Sequence, residues 1–240
     1  MTLTSPRIAY GTIEVPSGYF ASAAPALRPG DVLGSTYRVT HVRERLSSGA
    51  LFEADDMVLG REVIIKISWR GTDGKTLVEE ARRLAKAGEL AAAIYGVGIH
   101  QGRHFVAAEL IQGVPLPEVL ATGTRGEALT ALVLVAEAVA QAGAHRIRIG
   151  GVTPGSIVVV RGRRVVFESL ALGQLGEAHV SGIADGELRQ LGRLVRDTVV
   201  ARCDGMPAAL TQLLAEVERG GCDADTFAIA LAHHAVALAP

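Results

Sequence analysis

Lysine is the scarce residue of this chain: of 24 basic residues only Lys66, Lys75 and Lys86 are lysines. The formal net charge is −1, and neither a block of like charge nor a basic face is apparent, so composition gives no support for nucleic-acid binding. Aromatic residues make up 4%, which leaves Ala, Val, Leu and Gly to build the core. Cysteine is nearly absent as well. Cys203 and Cys222 are not in a paired metal-ligand spacing, which suits a reducing cytoplasm and leaves a single disulfide open. The N-terminus lacks a basic segment followed by an apolar run, so no signal peptide is expected. The longest apolar stretch, Ala131 to Ala140, contains Glu137 and falls well short of the roughly 20 residues that span a bilayer. These absences predict a cytoplasmic protein with no direct insertion into a membrane.

What is present is a core. The chain has 240 residues, 49% of them hydrophobic, enough for one large domain or two small lobes. Inside that apolar budget one lysine stands out. Lys66 lies in Val63-Ile64-Ile65-Lys66-Ile67, a β-branched run that reads as a strand buried on at least one face. An ammonium there either reaches solvent from an edge strand or needs an acidic or phosphate partner, because burying it alone costs on the order of several kcal/mol. The following segment offers the carboxylate. From Thr76 to Gly88 the residues Leu77, Ala81, Leu84, Ala85 and Gly88 follow one helical face. At 100° per residue Glu80 falls at the edge of that stripe and Glu79 nearly opposite it. Glu80 is therefore the expected partner of Lys66, and Glu79 is expected to be solvated.

Residues 1–29 hold four prolines among Ser, Gly and Ala and read as an arm or linker, with a short strand around Ile13-Val15. Strands are expected at Tyr37–Val42, Ala50–Ala54 and Glu62–Ile67, then the helix with Glu80, then strands at Ile94–Ile99 and His104–Ile111. The second half changes character: a long helix Glu127–Ala142, a strand pair Ile157–Val160 and Arg164–Phe167 joined at Arg161-Gly162, and helices at Gly186–Val200, Pro207–Arg219 and Asp223–Ala237. Asp223 is a candidate N-cap and Pro207 a first-turn residue. The expected architecture is α+β: an arm at 1–29, a sheet-plus-helix lobe at 30–113 and a mainly helical lobe at 114–240.

Three blocks, in order, resemble the bacterial Ser/Thr protein kinase family of the eukaryotic-like type. The first runs from Ala54-Asp55-Asp56 through Leu59-Gly60-Arg61 to Lys66, and resembles the family's strand ending in a nucleotide-contacting lysine. The second, Phe105 to Gly113, resembles the strand entering the hinge, with Ala108 at the gatekeeper position. The third, Ile149 to Val158, resembles the catalytic loop and the strand after it. The resemblance implies a bilobal kinase-like fold: a small antiparallel-sheet N-lobe with one main helix, and a compact, mainly helical C-lobe. It implies a Lys66–Glu80 pair that holds phosphates in active members, and backbone at Glu109 and Ile111 that faces an adenine.

The same comparison implies losses. The glycine-rich loop reads Glu44-Arg45-Leu46-Ser47-Ser48-Gly49, keeping one glycine and placing a carboxylate near the phosphates. Gly151 stands at the catalytic aspartate and Ser156 at the metal-binding asparagine. Glu168 stands at the magnesium-binding aspartate, and only a shortened activation segment separates Leu170 from Glu187. Glu187 in turn replaces an aspartate on the helix that anchors the catalytic loop. No histidine pair has metal-ligand spacing: His233 and His234 point about 100° apart, His100 and His104 flank a turn, and His145 ends a helix. The reading is a pseudokinase without catalytic residues, metal or cofactor, with ATP binding disfavoured. Lys66, Glu80, Glu109, Ile111 and Glu168 would be a structural ion pair or a vestigial nucleotide site. Its work would be scaffolding or allosteric regulation of a protein partner, whether a kinase, a phosphopeptide reader or a membrane assembly. The alternative is a divergent phosphotransferase using Lys66, Glu80 and Glu168.

Overall fold

The structure, a computed structural model, describes residues 27–46, 49–69, 74–147, 149, 152–160, 164–167, 184–203 and 205–238. The strand expected at Ile13-Val15 and the turn at Arg161-Gly162 lie outside these residues. The described chain divides into two units at the bond between Ile111 and Gln112.

The first unit, 27–111, is a six-stranded sheet with one helix. Strands β1 (Val32–Leu33), β2 (Tyr37–Arg45), β3 (Gly49–Asp56), β4 (Arg61–Ser68), β5 (Ile94–His100) and β6 (Arg103–Glu109) pair antiparallel in the order β1-β2-β3-β4-β6-β5. Alternation decides which side chains meet. Phe52, Ile65 and Ala107 lie side by side across three strands, and with Val39, Ala54, Val63, Ile67 and Phe105 they form the main core. Tyr37 meets Phe105 edge-on at 6.0 Å. Gly98 is required by that ring, since a Cβ there would lie 2.6 Å from it. The opposite face carries Leu51, Ile64, Lys66 and Val106, which are buried as well. The Val63–Ile67 run is thus buried on both faces, which a near-continuous apolar sequence requires.

Helix α1 (Gly74–Ala87) belongs to the same unit and contacts β6 and β5. Its buried stripe is Gly74, Leu77, Glu80, Ala81, Leu84 and Ala87, while Ala85 and Gly88 are exposed. This trims the expected face at its edge and its end: Ala85 lies 100° from Leu84, and Gly88 follows the last residue of α1 with a positive φ of 56°. Glu79 is exposed, as its phase requires.

The second unit, 112–238, contains a three-stranded sheet of β7 (Val114–Pro115), β8 (Ile157–Val160) and β9 (Arg164–Phe167). Among the described residues five helices accompany it: α2 (Leu116–Thr122), α3 (Arg125–Ala144), α4 (Ala184–Arg202), α5 (Ala208–Arg219) and α6 (Ala224–Leu238). Helix α3 starts in a capping box, where the Thr124 hydroxyl accepts from the Glu127 N–H at 3.2 Å and the Glu127 carboxylate accepts from the Thr124 N–H at 2.7 Å. Among the described residues α3 is the one helix long and apolar enough to cross a membrane, yet it packs on α6 and α4 with a fully buried stripe that includes Ala128, Leu132 and Val135. Asp223 caps α6 by accepting from the Thr226 N–H at 2.8 Å. Pro207 is the N-cap of α5 rather than its first helical residue. Strands β1 and β7 and helix α2 were not anticipated. Two-residue strands have no period, and Leu116-Pro117 suppresses a helix reading until Pro117 is placed in the first turn, where its missing N–H costs nothing.

The β3–β4 turn is organised by Asp56, whose carboxylate accepts from the Val58 and Leu59 N–H groups at 3.1 Å and from Arg61 Nε at 3.2 Å. Burial alone would raise its pKa, but these donors outweigh burial and hold it below the usual carboxylate value of 3.8. A depressed folded-state pKa stabilises above the unfolded pKa and is lost as pH falls through the folded one. Asp56→Asn should therefore lower the Tm at pH 7, with the difference from the parent shrinking steadily below about pH 4 in a thermal melt series.

Candidate functional site

The site is built on one row across the first unit's sheet. Cross-strand register aligns Glu44 with Leu51, Leu51 with Lys66, and Lys66 with Val106. Directly opposed residues share a face, so Glu44 and Lys66 lie on the same side two strands apart. Helix α1 packs on this side and delivers Glu80. Lys66 Nζ stands 2.6 Å from Glu80 Oε2, and the two residues are 4% and 3% exposed. This is a short, charge-assisted contact in a dry environment, where each charge depends on the other for its solvation.

A second pair lies on the same face. Glu53 is opposed to Ile64, one alternation from Lys66, and is nearly fully buried. Arg43 Nη1 reaches Glu53 Oε1 at 2.9 Å, and His41 lies 3.7 Å from the other oxygen. Sequence reasoning missed this pair because Glu53 and Arg43 are ten positions apart on different strands. Only the register, shifted by irregularities after Val39 and Val42, brings them together.

Glu44 is the discordant member. Its Oε2 is buried without a hydrogen-bond partner. Burial pushes its carboxyl above the ordinary 4.5, and the nearby Arg43 offsets this only in part. Glu44 belongs to β2 itself rather than to a loop. Three carboxylates and two paired cations therefore share the side of the sheet on which the resemblance would seat phosphates.

The other expected positions are placed as follows. The Glu109 N–H donates to the Ala93 carbonyl at 2.8 Å, and the Glu109 carboxylate accepts from the Ala93 N–H at 3.2 Å, so that N–H is committed within the unit. Ile111 is 1% exposed at the end of the unit. In the second unit Ser156 lies in a short 3-10 turn before β8, and its hydroxyl donates to the Thr153 carbonyl at 2.9 Å while accepting from the Thr153 hydroxyl. Glu187 is buried on α4. Gln190, one helical turn along, accepts from the Val152 N–H at 2.7 Å and ties the loop before that 3-10 turn to α4. Sequence reading passed over Gln190, although its spacing of three from Glu187 on one helix was a usable signal. Gly151 and Glu168 lie outside the described residues. Among the described residues no cluster of His, Cys, Asp or Glu could hold a metal ion.

No protein-family model and no curated protein matches the chain. Solved structures do. The kinase domain of Mycobacterium tuberculosis PknI is 16% identical, with a TM-score of 0.54 over 87% of this chain and 99% of that one. A cysteine-to-alanine variant of the same domain is 15% identical, with a TM-score of 0.53 over 88% of this chain and all of the other. At such identity the likeness is one of fold. The chain has a protein-kinase-like α+β fold, with an antiparallel-sheet N-lobe and a helical C-lobe.

Two outcomes follow from the charges. Lys66→Met takes from Glu80 its buried cation and Glu80→Leu takes from Lys66 its buried carboxylate, so either alone should destabilise by about 3–5 kcal/mol, whereas the double variant should recover most of that loss, as read from urea unfolding midpoints. Glu44 has a raised folded-state pKa, so its ionised form penalises the fold once pH exceeds the ordinary carboxylate range. Glu44→Gln should raise the Tm at pH 7, and the gain should fade as pH falls towards 4.

Proposed function

We propose that this chain is a pseudokinase: a kinase-like fold that has kept its organising ion pair, binds no nucleotide productively and acts by presenting surfaces to a protein partner as a scaffold or allosteric regulator. The observation that carries the reading is the charge on the Lys66 face. A phosphate-binding sheet needs cations facing an anion. Here Lys66 is held by Glu80 and Arg43 by Glu53, and Glu44 adds a further carboxylate in the Lys66 row. A triphosphate approaching this face would meet net negative charge. The aligned catalytic positions agree with this reading, since Gly151 has no side chain to orient an acceptor hydroxyl and the Ser156 hydroxyl already donates to the Thr153 carbonyl. No cofactor and no metal enter the proposal. The partner is a protein, with a kinase, a phosphopeptide reader and a membrane assembly as the three classes to examine, and the chain works in the cytoplasm.

One observation favours a second reading, a divergent phosphotransferase. The 2.6 Å Lys66–Glu80 contact is the arrangement active kinases need, and Glu168 retains a carboxylate at the aligned metal position.

Thermal shift separates the two readings. A ligand present at about 100 times its Kd adds about 2.7 kcal/mol, which is roughly 5–10 °C in a chain of this size. The pseudokinase reading expects a shift under about 1 °C with ATP or ADP, with or without magnesium. A magnesium-dependent rise of several degrees, with phosphate transfer from ATP that vanishes in Lys66→Ala and Glu168→Ala, would establish the enzyme instead.

A further inference from the structure

The face of the first unit's sheet that lies opposite Lys66 ends in a small cavity of about 230 Å³. Register explains its floor. Ile67 is opposed to Phe105, Phe105 to Gly98, and Arg103 to His100, so Ile67, Phe105, Arg103 and His100 share one face. Past the Phe105 ring this face turns from apolar to polar, and Ile67, His100 and Arg103 line the cavity there. The segment leading into β1 supplies the remaining wall with Leu27, Asp31 and Val32.

The lining says what would fit. Asp31 and Arg103 bring opposite charges to one small space. The Asp31 carboxylate is fixed in place, since its Oδ2 accepts from the Arg28 N–H at 2.8 Å while its own N–H donates to the Arg28 carbonyl at 3.0 Å. Its other oxygen is left to receive an incoming donor. A simple anion would be repelled by Asp31 and a simple cation by Arg103, whereas a molecule carrying both charges is attracted at both ends. The volume lies below the roughly 300–1,000 Å³ of drug-sized sites, so the occupant is small. Leu27, Val32 and Ile67 offer an apolar surface between the polar groups.

The hairpin tip adds a polar group to the same wall. Gln101 and Gly102 join β5 to β6 with φ of 49° and 74°. A two-residue turn requires positive φ at both positions, and Asn or Gly meets that with less strain than Gln. Gln101 thus carries its amide to the cavity at a cost to the backbone.

We propose that this cavity binds a free α-amino acid with an aliphatic side chain. The carboxylate pairs with Arg103, the ammonium with Asp31, and the side chain lies against Leu27, Val32 and Ile67. The bound molecule ties the segment before β1 to the β5–β6 hairpin. It draws on none of the residues of the Lys66 face, so it stands or falls independently of the pseudokinase reading.

Calorimetric titration of the full chain with L-leucine, L-isoleucine and L-valine tests this, with thermal shift alongside. Saturable binding and a rise in Tm are expected. L-leucinamide, which lacks the carboxylate, and N-acetyl-L-leucine, which lacks the ammonium, should each bind at least about tenfold more weakly, and inorganic phosphate should not bind. Asp31→Asn keeps an acceptor for the Arg28 N–H but should weaken leucine at least about tenfold, as should Arg103→Gln. Gln101→Gly should raise the Tm of the free protein and weaken leucine by about threefold. Far-UV circular dichroism identifies any variant that has lost its fold, and Asp31→Asn decides the matter if Arg103→Gln is one of them. The proposal is overturned by the absence of heat and of any Tm shift with all three amino acids, by leucinamide, N-acetyl-leucine or phosphate binding as tightly as leucine, or by unchanged affinity in Asp31→Asn.

Discussion

An ammonium enclosed by the strands of an apolar sheet has to be answered by a carboxylate, and the architecture of the first unit follows from that need. Lys66 sits on the central strand β4, between β3 and β6, and cannot escape to an edge. Glu80 reaches it only if α1 lies over the sheet with the stripe Leu77, Glu80, Leu84 turned inward. The apolar members of that stripe supply the burial energy, and the ion pair fixes the helix's rotation. A buried pair is a poor source of net stability but a strong selector of geometry, because any other rotation leaves two charges unanswered. The same burial sets Glu53 against Arg43 and pushes the Glu44 carboxyl above its ordinary range.

The fold and the ion pair were legible because they rest on local periodicity. The β-branched run around Lys66 and the 3.6-residue phase of α1 are written within about twenty consecutive positions, and physics leaves little choice about what they form. Most other strands and helices were found within a few residues of their observed ends for the same reason. The elements missed were those without a period. β1 and β7 exist through their pairing with β2 and β8, and α2 is short and opens on a proline.

The site was legible in part only. Glu80 could be read because its partner is one helix away and its phase is fixed by apolar neighbours. The Arg43–Glu53 pair could not, since it depends on two register irregularities in β2 that no residue pattern announces. Gln190 was hidden differently: its partner is a backbone N–H, and backbone donors carry no sequence signature. The committed N–H of Glu109 is another such case. Residues that act through side-chain type can be nominated from sequence, whereas residues that act through register or backbone need the fold.

This bears on how much a retained Lys–Glu pair says about function. Consider the pair as evolution meets it, one substitution at a time. Losing Lys66 leaves Glu80 buried and charged, and losing Glu80 leaves Lys66 so, and either step removes a large share of a typical domain's 5–15 kcal/mol. Removing both at once can be nearly neutral, but that path runs through an unstable intermediate. The pair is therefore kept in place by the fold whether or not phosphate ever binds. Gly-rich loop and catalytic-loop positions are under no such constraint. When chemistry is no longer selected, the exposed machinery drifts and the buried pair remains. In a kinase-like fold, the state of the loops is thus the informative signal, and an intact lysine–glutamate contact speaks first for the architecture that cannot lose it.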